Sequence, residues 1–203
     1  MKKYTTIITA IVVIASAALG GQWNNTQWNQ GVKIKALTGG QFYSDFPQAP
    51  GHINAISKSQ GATALGSTIT VKLRVKKLAG NPQFHSLDPG PAPPALLPNV
   101  RPMLQVKNDD YYTEDNRWWP TGANCVFLKA DNLTITYTIK VKPALWSNVY
   151  GKLATSRLSR FRKALKKIGN LNLAFGGGNS FTHGLNIVNG KARFELISCT
   201  VTQ

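Results

Sequence analysis

From Thr68 to Lys77 apolar and polar residues alternate one for one. Ile69, Val71, Leu73 and Val75 fall on one side, and Thr70, Lys72, Arg74 and Lys76 on the other. A period of two belongs to an extended strand with one face in a core and one in water. The pattern returns at Leu133, Ile135, Tyr137, Ile139 and Val141, which alternate with Thr134, Thr136, Thr138, Lys140 and Lys142. Residues 22–66 carry only short apolar pieces between Gly, Asn, Gln, Ser and Pro, and predict short strands and turns. Between the two alternating segments, the proline-rich stretch from Asp88 to Pro94 cannot continue a sheet, because proline has no amide donor and a fixed φ.

One stretch follows a helical period. From Ser156 to Gly169, Leu158, Phe161, Leu165 and Ile168 share a face while cations cover the rest, and Gly169 stands where a helix would stop. After it, Leu171 to Phe175 and Ala192 to Val201 predict further strands. In the last of these the apolar phase slips between Leu196 and Ile197, the mark of a β-bulge or of burial on both faces. The pattern as a whole predicts an all-β antiparallel sandwich with one short basic amphipathic helix near residues 156–168.

The first residues read differently. Met1-Lys2-Lys3, the uncharged apolar run Ile7 to Ala18 and the small-x-small Ala15-Ser16-Ala17 form a signal-peptide pattern, too short to span a bilayer and followed by polar Gln22 to Asn25. The expected organisation is a signal peptide over residues 1–20 and a single β-sandwich domain over residues 21–203. The product would be secreted or periplasmic, with no second apolar run of spanning length.

Composition sharpens the choice of partner. The 203 residues hold 24 Lys and Arg against 8 Asp and Glu, a formal charge of +16 that loses only Lys2 and Lys3 with the leader. Such an excess attracts polyanions. The cations that gather locally are those of the helical stretch, Arg157, Arg160, Arg162, Lys163, Lys166 and Lys167, a candidate polyanion-binding face; a solvated helix surface is the plainer alternative. No RNP or helix-turn-helix motif accompanies them, and export removes most nucleic acid from reach, so the expected partner is a polysaccharide or another extracellular polyanion. Cys125 and Cys199 form an even pair, which in an exported chain predicts one disulfide, against two buried free thiols.

Asp109, Asp110, Glu114 and Asp115 place four of the eight acids in one span. A calcium ion takes six to eight oxygens, so these are the candidate metal ligands, although their spacing matches no EF-hand and pairing with neighbouring cations is the alternative. No other cofactor is expected, and His52, His85 and His183 are scattered. Tyr111, Tyr112, Trp118 and Trp119 flank the acids, and exposed aromatics beside polar groups would form a sugar platform; core filling is the alternative. No G-x-S-x-G or H-E-x-x-H motif is present, so no catalytic residue is assigned. A glycosidase-like, calcium-dependent enzyme using two carboxylates within Asp109–Asp115 is the alternative to a binding or structural protein.

The C-terminal half resembles laminin-B-like jelly-roll domains. The resemblance rests on Leu145-Trp146-Ser147-Asn148-Val149-Tyr150-Gly151, on Phe161 to Ile168, and on Phe175-Gly176-Gly177-Gly178. Arg117-Trp118-Trp119 and Phe175 to Gly178 with Gly184 are similar to secreted bacterial β-sandwich proteins of the exosortase-sorted (PEP-CTERM) kind, from which this chain differs in having no sorting helix after the last strand. The resemblance implies a jelly-roll, a fold shared with carbohydrate-binding modules.

Overall fold

The computed structural model describes residues 22–87, 97–122, 124–177 and 183–203. The signal-peptide pattern and the Asp88–Pro94 stretch lie outside them, as does Gly178. In chain order the strands begin with β1 (Asn24–Asn25), β2 (Ile34–Ala36), β3 (Phe42–Asp45), β4 (Ala55–Ser59), β5 (Thr68–Ser86) and β6 (Asn99–Val106). They continue with β7 (Arg117–Pro120), β8 (Val126–Phe127), β9 (Thr134–Lys140) and β10 (Trp146–Asn148). The helix α1 (Leu158–Leu165) follows, and β11 (Ile168–Gly176) and β12 (Leu185–Thr202) complete the set.

Two antiparallel sheets face each other, as the sequence pattern requires. One runs β1-β4-β11-β6-β7-β10 with β8 paired to β6; the other runs β2-β3-β12-β5-β9. The protein is an antiparallel β-sandwich of jelly-roll type carrying one short basic helix. Ile69, Val71, Leu73 and Val75 are all buried between the sheets, opposite Ile56, Leu104, Leu171, Leu173 and Phe175. The β5–β12 ladder is the longest, and its register shifts between Leu196 and Ser198, where the apolar phase slips in the sequence. The second alternating segment pairs with the first from Thr68↔Lys140 to Arg74↔Thr134. Its first apolar residue departs from expectation: Leu133 is 64% exposed. Asp131 Oδ1 accepts from the Leu133 amide, and Asn132 is left-handed at φ 65°, so a turn occupies the position before the strand starts.

The helix is shorter than its pattern. It ends at Leu165, and Ile168 and Gly169 already belong to β11. Gly169 is therefore not a helix stop. A Cβ there would stand 2.7 Å from Cα of Lys107, so glycine is required by close approach of two backbones. Phe161 anchors α1 to the sandwich end, 4.8 Å from Trp118 and 6.3 Å from Trp146 between ring centroids.

The expected disulfide is absent; Cys125 and Cys199 are free. Cys199 pairs with Val71 and Val71 with Tyr137, so β5 stands between Cys199 and β9. Only beyond Tyr137, whose hydroxyl donates to Asn124 O at 2.8 Å, does the chain reach Cys125. Two strand spacings, roughly 10 Å, exceed the Cα separation a disulfide tolerates. Burial pushes the Cys199 thiol up to about 11 and raises Cys125 as well, so both half-buried groups favour the thiol over the thiolate.

Candidate functional site: a polar cleft on the outer face of the larger sheet

The same alternation that buries Leu171, Leu173 and Phe175 turns Asn170 and Asn172 to the outer face of β11. Register then fixes their neighbours. Asn172 lies between Ser57 of β4 and Met103 of β6, and Asn170 between Ser59 and Gln105. A row of amides and hydroxyls thus floors a cleft of about 290 Å3, walled by Asn24, Asn25, Gln27 and Trp28 on one side and Tyr111 on the other. No carboxylate is among its described lining residues.

Each wall is held from behind. Asn29 Oδ1 accepts from the amides of Asn54 (2.6 Å) and Ala55 (3.0 Å), and its Nδ2 donates to Ala55 O at 2.6 Å. Thr26 Oγ1 also donates to Ala55 O. This clamp fixes the turn that carries Trp28. Across the cleft, Asp109 Oδ1 accepts from the Tyr111 amide at 3.1 Å, and Arg117 Nη2 donates to Tyr111 O at 2.7 Å. Arg117 Nε also lies 3.1 Å from Asp109 Oδ2, an ion pair by distance that is not aligned as a hydrogen bond. The guanidinium sits 5.5 Å from the Tyr111 ring centre. Tyr111 itself is left-handed at φ 64°, a conformation a bulky side chain adopts only when its surroundings enforce it.

The result is an aromatic corner. The Trp28 and Tyr111 rings meet edge to face, 4.5 Å apart at 83°. The floor is tied to the wall as well, since Asn172 Nδ2 donates to Gln105 Oε1 at 3.2 Å and Gln105 Nε2 donates to Asp109 Oδ2 at 3.0 Å. An apolar ring face beside directional amides suits a ligand that is greasy on one side and hydroxylated on its edges, which describes a sugar ring.

Of the aromatic residues expected in a sugar platform, only Tyr111, 41% exposed, lines this cleft. Tyr112 is 91% exposed and lies outside it. Trp118 and Trp119 are 0% and 2% exposed. Adjacent residues in β7 point to opposite faces, so Trp118 enters the main core and Trp119 packs with Met103, Val149 and Ala174 under the outer surface. Trp28, Asn24, Asn25, Gln105, Asn170 and Asn172 escaped the sequence reading. The amide-rich Gln22 to Asn29 run with its two Trp residues was the available signal.

The four acids do not gather around a common point. Asp109 serves Tyr111, and Asp110 accepts from the Tyr112 and Thr113 amides and from Thr113 Oγ1, bonds that hold its carboxyl below the usual range, those from Thr113 first. Glu114 and Asp115 turn the other way, to Arg157, Arg160 and, for Glu114, Lys152. Among the described residues no three acids, His or Cys are grouped to hold a metal ion. Their oxygens meet amides, guanidinium groups and, at Glu114, the Lys152 ammonium. Burial tends to raise the Asp115 carboxyl, but bonds from Arg160 and Asn148 and the nearby Arg157 charge outweigh it, so the group is held below its ordinary value.

No family model and no curated protein matches this chain. Among solved structures, a CBM4 structure aligns over 85% of this chain and 78% of its own at 16% identity and a TM-score of 0.37. The xylan-binding module CBM15 aligns over 90% and 94% at 12% and 0.40. A structure described with endo-acting O-glycanases that gut bacteria use to initiate mucin breakdown aligns over 96% and 95% at 13% and 0.46. At such identities these similarities carry no ligand across.

Proposed function

We propose that this chain is an exported, non-catalytic sugar-binding protein that holds a neutral glycan in the cleft on the outer face of the larger sheet. The observation that carries the reading is the conjunction of the Trp28–Tyr111 corner with the accessible Asn24 and Asn170 amides, backed by the buried Asn172–Gln105 pair, and no carboxylate among the described lining residues. Amides donate and accept together, so they suit adjacent hydroxyls. The half-buried Trp28 and the partly exposed Tyr111, meeting edge to face, support stacking of the C–H side of a sugar at this corner. Hydrolysis needs two carboxylates flanking the scissile bond, roughly 5 to 9 Å apart. The acids of the 109–115 span are engaged behind the cleft or on its far side, which favours binding over glycosidase chemistry. Export rests on the leader pattern of residues 1–20.

The test is native electrophoresis through gels containing soluble neutral polysaccharides such as xylan, glucomannan and β-glucan. Retardation by at least one is expected, with Trp28→Ala and Tyr111→Ala each weakening it about tenfold or more, equivalent to roughly 1.4 kcal/mol. Tyr111→Phe keeps the ring and should retain binding. Equal retardation of all variants, or of none of the proteins by any polysaccharide, would refute the reading.

A further inference from the structure

The six cations expected to face a polyanion divide into two sets. Arg157 and Arg160 are engaged with Glu114 and Asp115, and the Asp115 bond raises the Arg160 guanidinium further. With Lys152 they form a closed cluster of three cations and two acids. Arg162, Lys163, Lys166 and Lys167 are all exposed, and no carboxylate among the described residues stands within ion-pair distance of any of them. Arg162 with Lys166, and Lys163 with Lys167, are four residues apart, so each pair sets charges about 6 Å apart along the axis. Lys163 and Lys167 line a groove of about 350 Å3 together with Arg160, Thr113, Asn116 and Asp115, whose carboxylate is held by Arg157 and Arg160. Arg162 and Lys166 border a neighbouring hollow beside Leu65.

We infer that this face of α1 binds an acidic polysaccharide through its sulfate or carboxylate groups, as a second site separate from the cleft. Four charges with no described carboxylate in ion-pair distance, on the last turn of α1 and the turn that follows it, are a surface that a linear polyanion neutralises as it lies across them. The other polyanions fit less well. Phe161, Ala164 and Leu165 are buried in the core, and the half-buried Leu158 beside Arg162, Lys163 and Lys166 is too little apolar surface for α1 to enter a bilayer. No aromatic ring is among the described lining residues of either hollow for a nucleic-acid base to stack on. The choice of a polysaccharide among polyanions rests on the sugar-binding reading of the cleft; the anion site itself does not.

The experiment measures binding of the full protein to dextran sulfate across a salt series, with single-stranded DNA and vesicles one quarter phosphatidylserine as alternative polyanions. Lys163→Ala/Lys167→Ala and Arg162→Ala/Lys166→Ala are each expected to weaken dextran sulfate binding at least fivefold and to flatten the salt dependence by about one to two powers of salt concentration. Lys72→Ala/Lys140→Ala, which removes two exposed cations from the other sheet, should change it less than twofold. All are expected to keep the wild-type melting temperature. Tyr111→Ala should keep dextran sulfate binding while losing neutral glycan, and the helix variants should do the reverse, so the two sites fail separately. Equal losses from the helix and control pairs would reduce the effect to net charge and overturn the site. Tighter binding of DNA or vesicles than of dextran sulfate would overturn the choice of ligand.

Discussion

Tyr111 concentrates the account at the scale of single residues. Its left-handed backbone costs on the order of 1–3 kcal/mol, and the Asp109 and Arg117 bonds to its amide and carbonyl hold it there. In the sequence Tyr111 stands beside carboxylates that are candidate metal ligands or ion-pair partners; in the structure Asp109 and Asp110 bond the amides of Tyr111, Tyr112 and Thr113, while Glu114 and Asp115 pair with Arg157 and Arg160. From the sequence Trp118 and Trp119 fit either a platform or the core, and both are buried. Whether a Trp in a strand is platform or filler depends on what covers each face, and the two-residue period of a strand does not tell. Asp115 gives a prediction that separates structure from binding. Its folded-state carboxyl is held below the ordinary 3.8, so the unfolded chain takes up the proton first as pH falls. The stabilisation is present above about pH 4 and is lost as the pH drops through the lower folded value. Asp115→Asn should lower stability at pH 7 by about 1–3 kcal/mol and show a shallower loss between pH 5 and 2 than the wild type, read by thermal melts across pH. Parallel acid curves for the two proteins would contradict this.

Strands were legible wherever one face is buried and the other wet. The alternation of β5 and β9 placed their paired core faces correctly, and the phase slip near Leu196 coincides with a real register shift. Helix boundaries were not legible, because Ile168 continues the apolar spacing of α1 while serving as the first residue of β11. A glycine after a basic helix usually marks its stop; at Gly169 the demand comes instead from Lys107, remote in sequence. Gly169→Ala should therefore force overpacking of backbone against backbone, at about 1–3 kcal/mol, or several degrees of melting temperature for a chain of this size. An unchanged melt would mean that β11 and the segment after β6 can separate freely.

Across the whole molecule, the cleft exists because four segments distant in sequence meet on one sheet face. The amides of β11 alternate with core leucines, Gln105 is brought beside them by the β6 register, and the Trp28 and Tyr111 turns rise from either edge. None of these adjacencies can be read from local pattern, which explains why the sandwich was visible in the sequence and the cleft was not. The same assembly offers a direct readout. Trp23, Trp118, Trp119 and Trp146 are buried, and Trp28 is the half-buried one of the five. Titrating the protein with whichever neutral polysaccharide retards it should change tryptophan emission saturably, and Trp28→Phe should abolish that change while leaving the melting temperature within about 2 °C. Emission that responds equally in Trp28→Phe, or a glycan that binds without touching the emission at all, would place the sugar elsewhere and contradict the cleft.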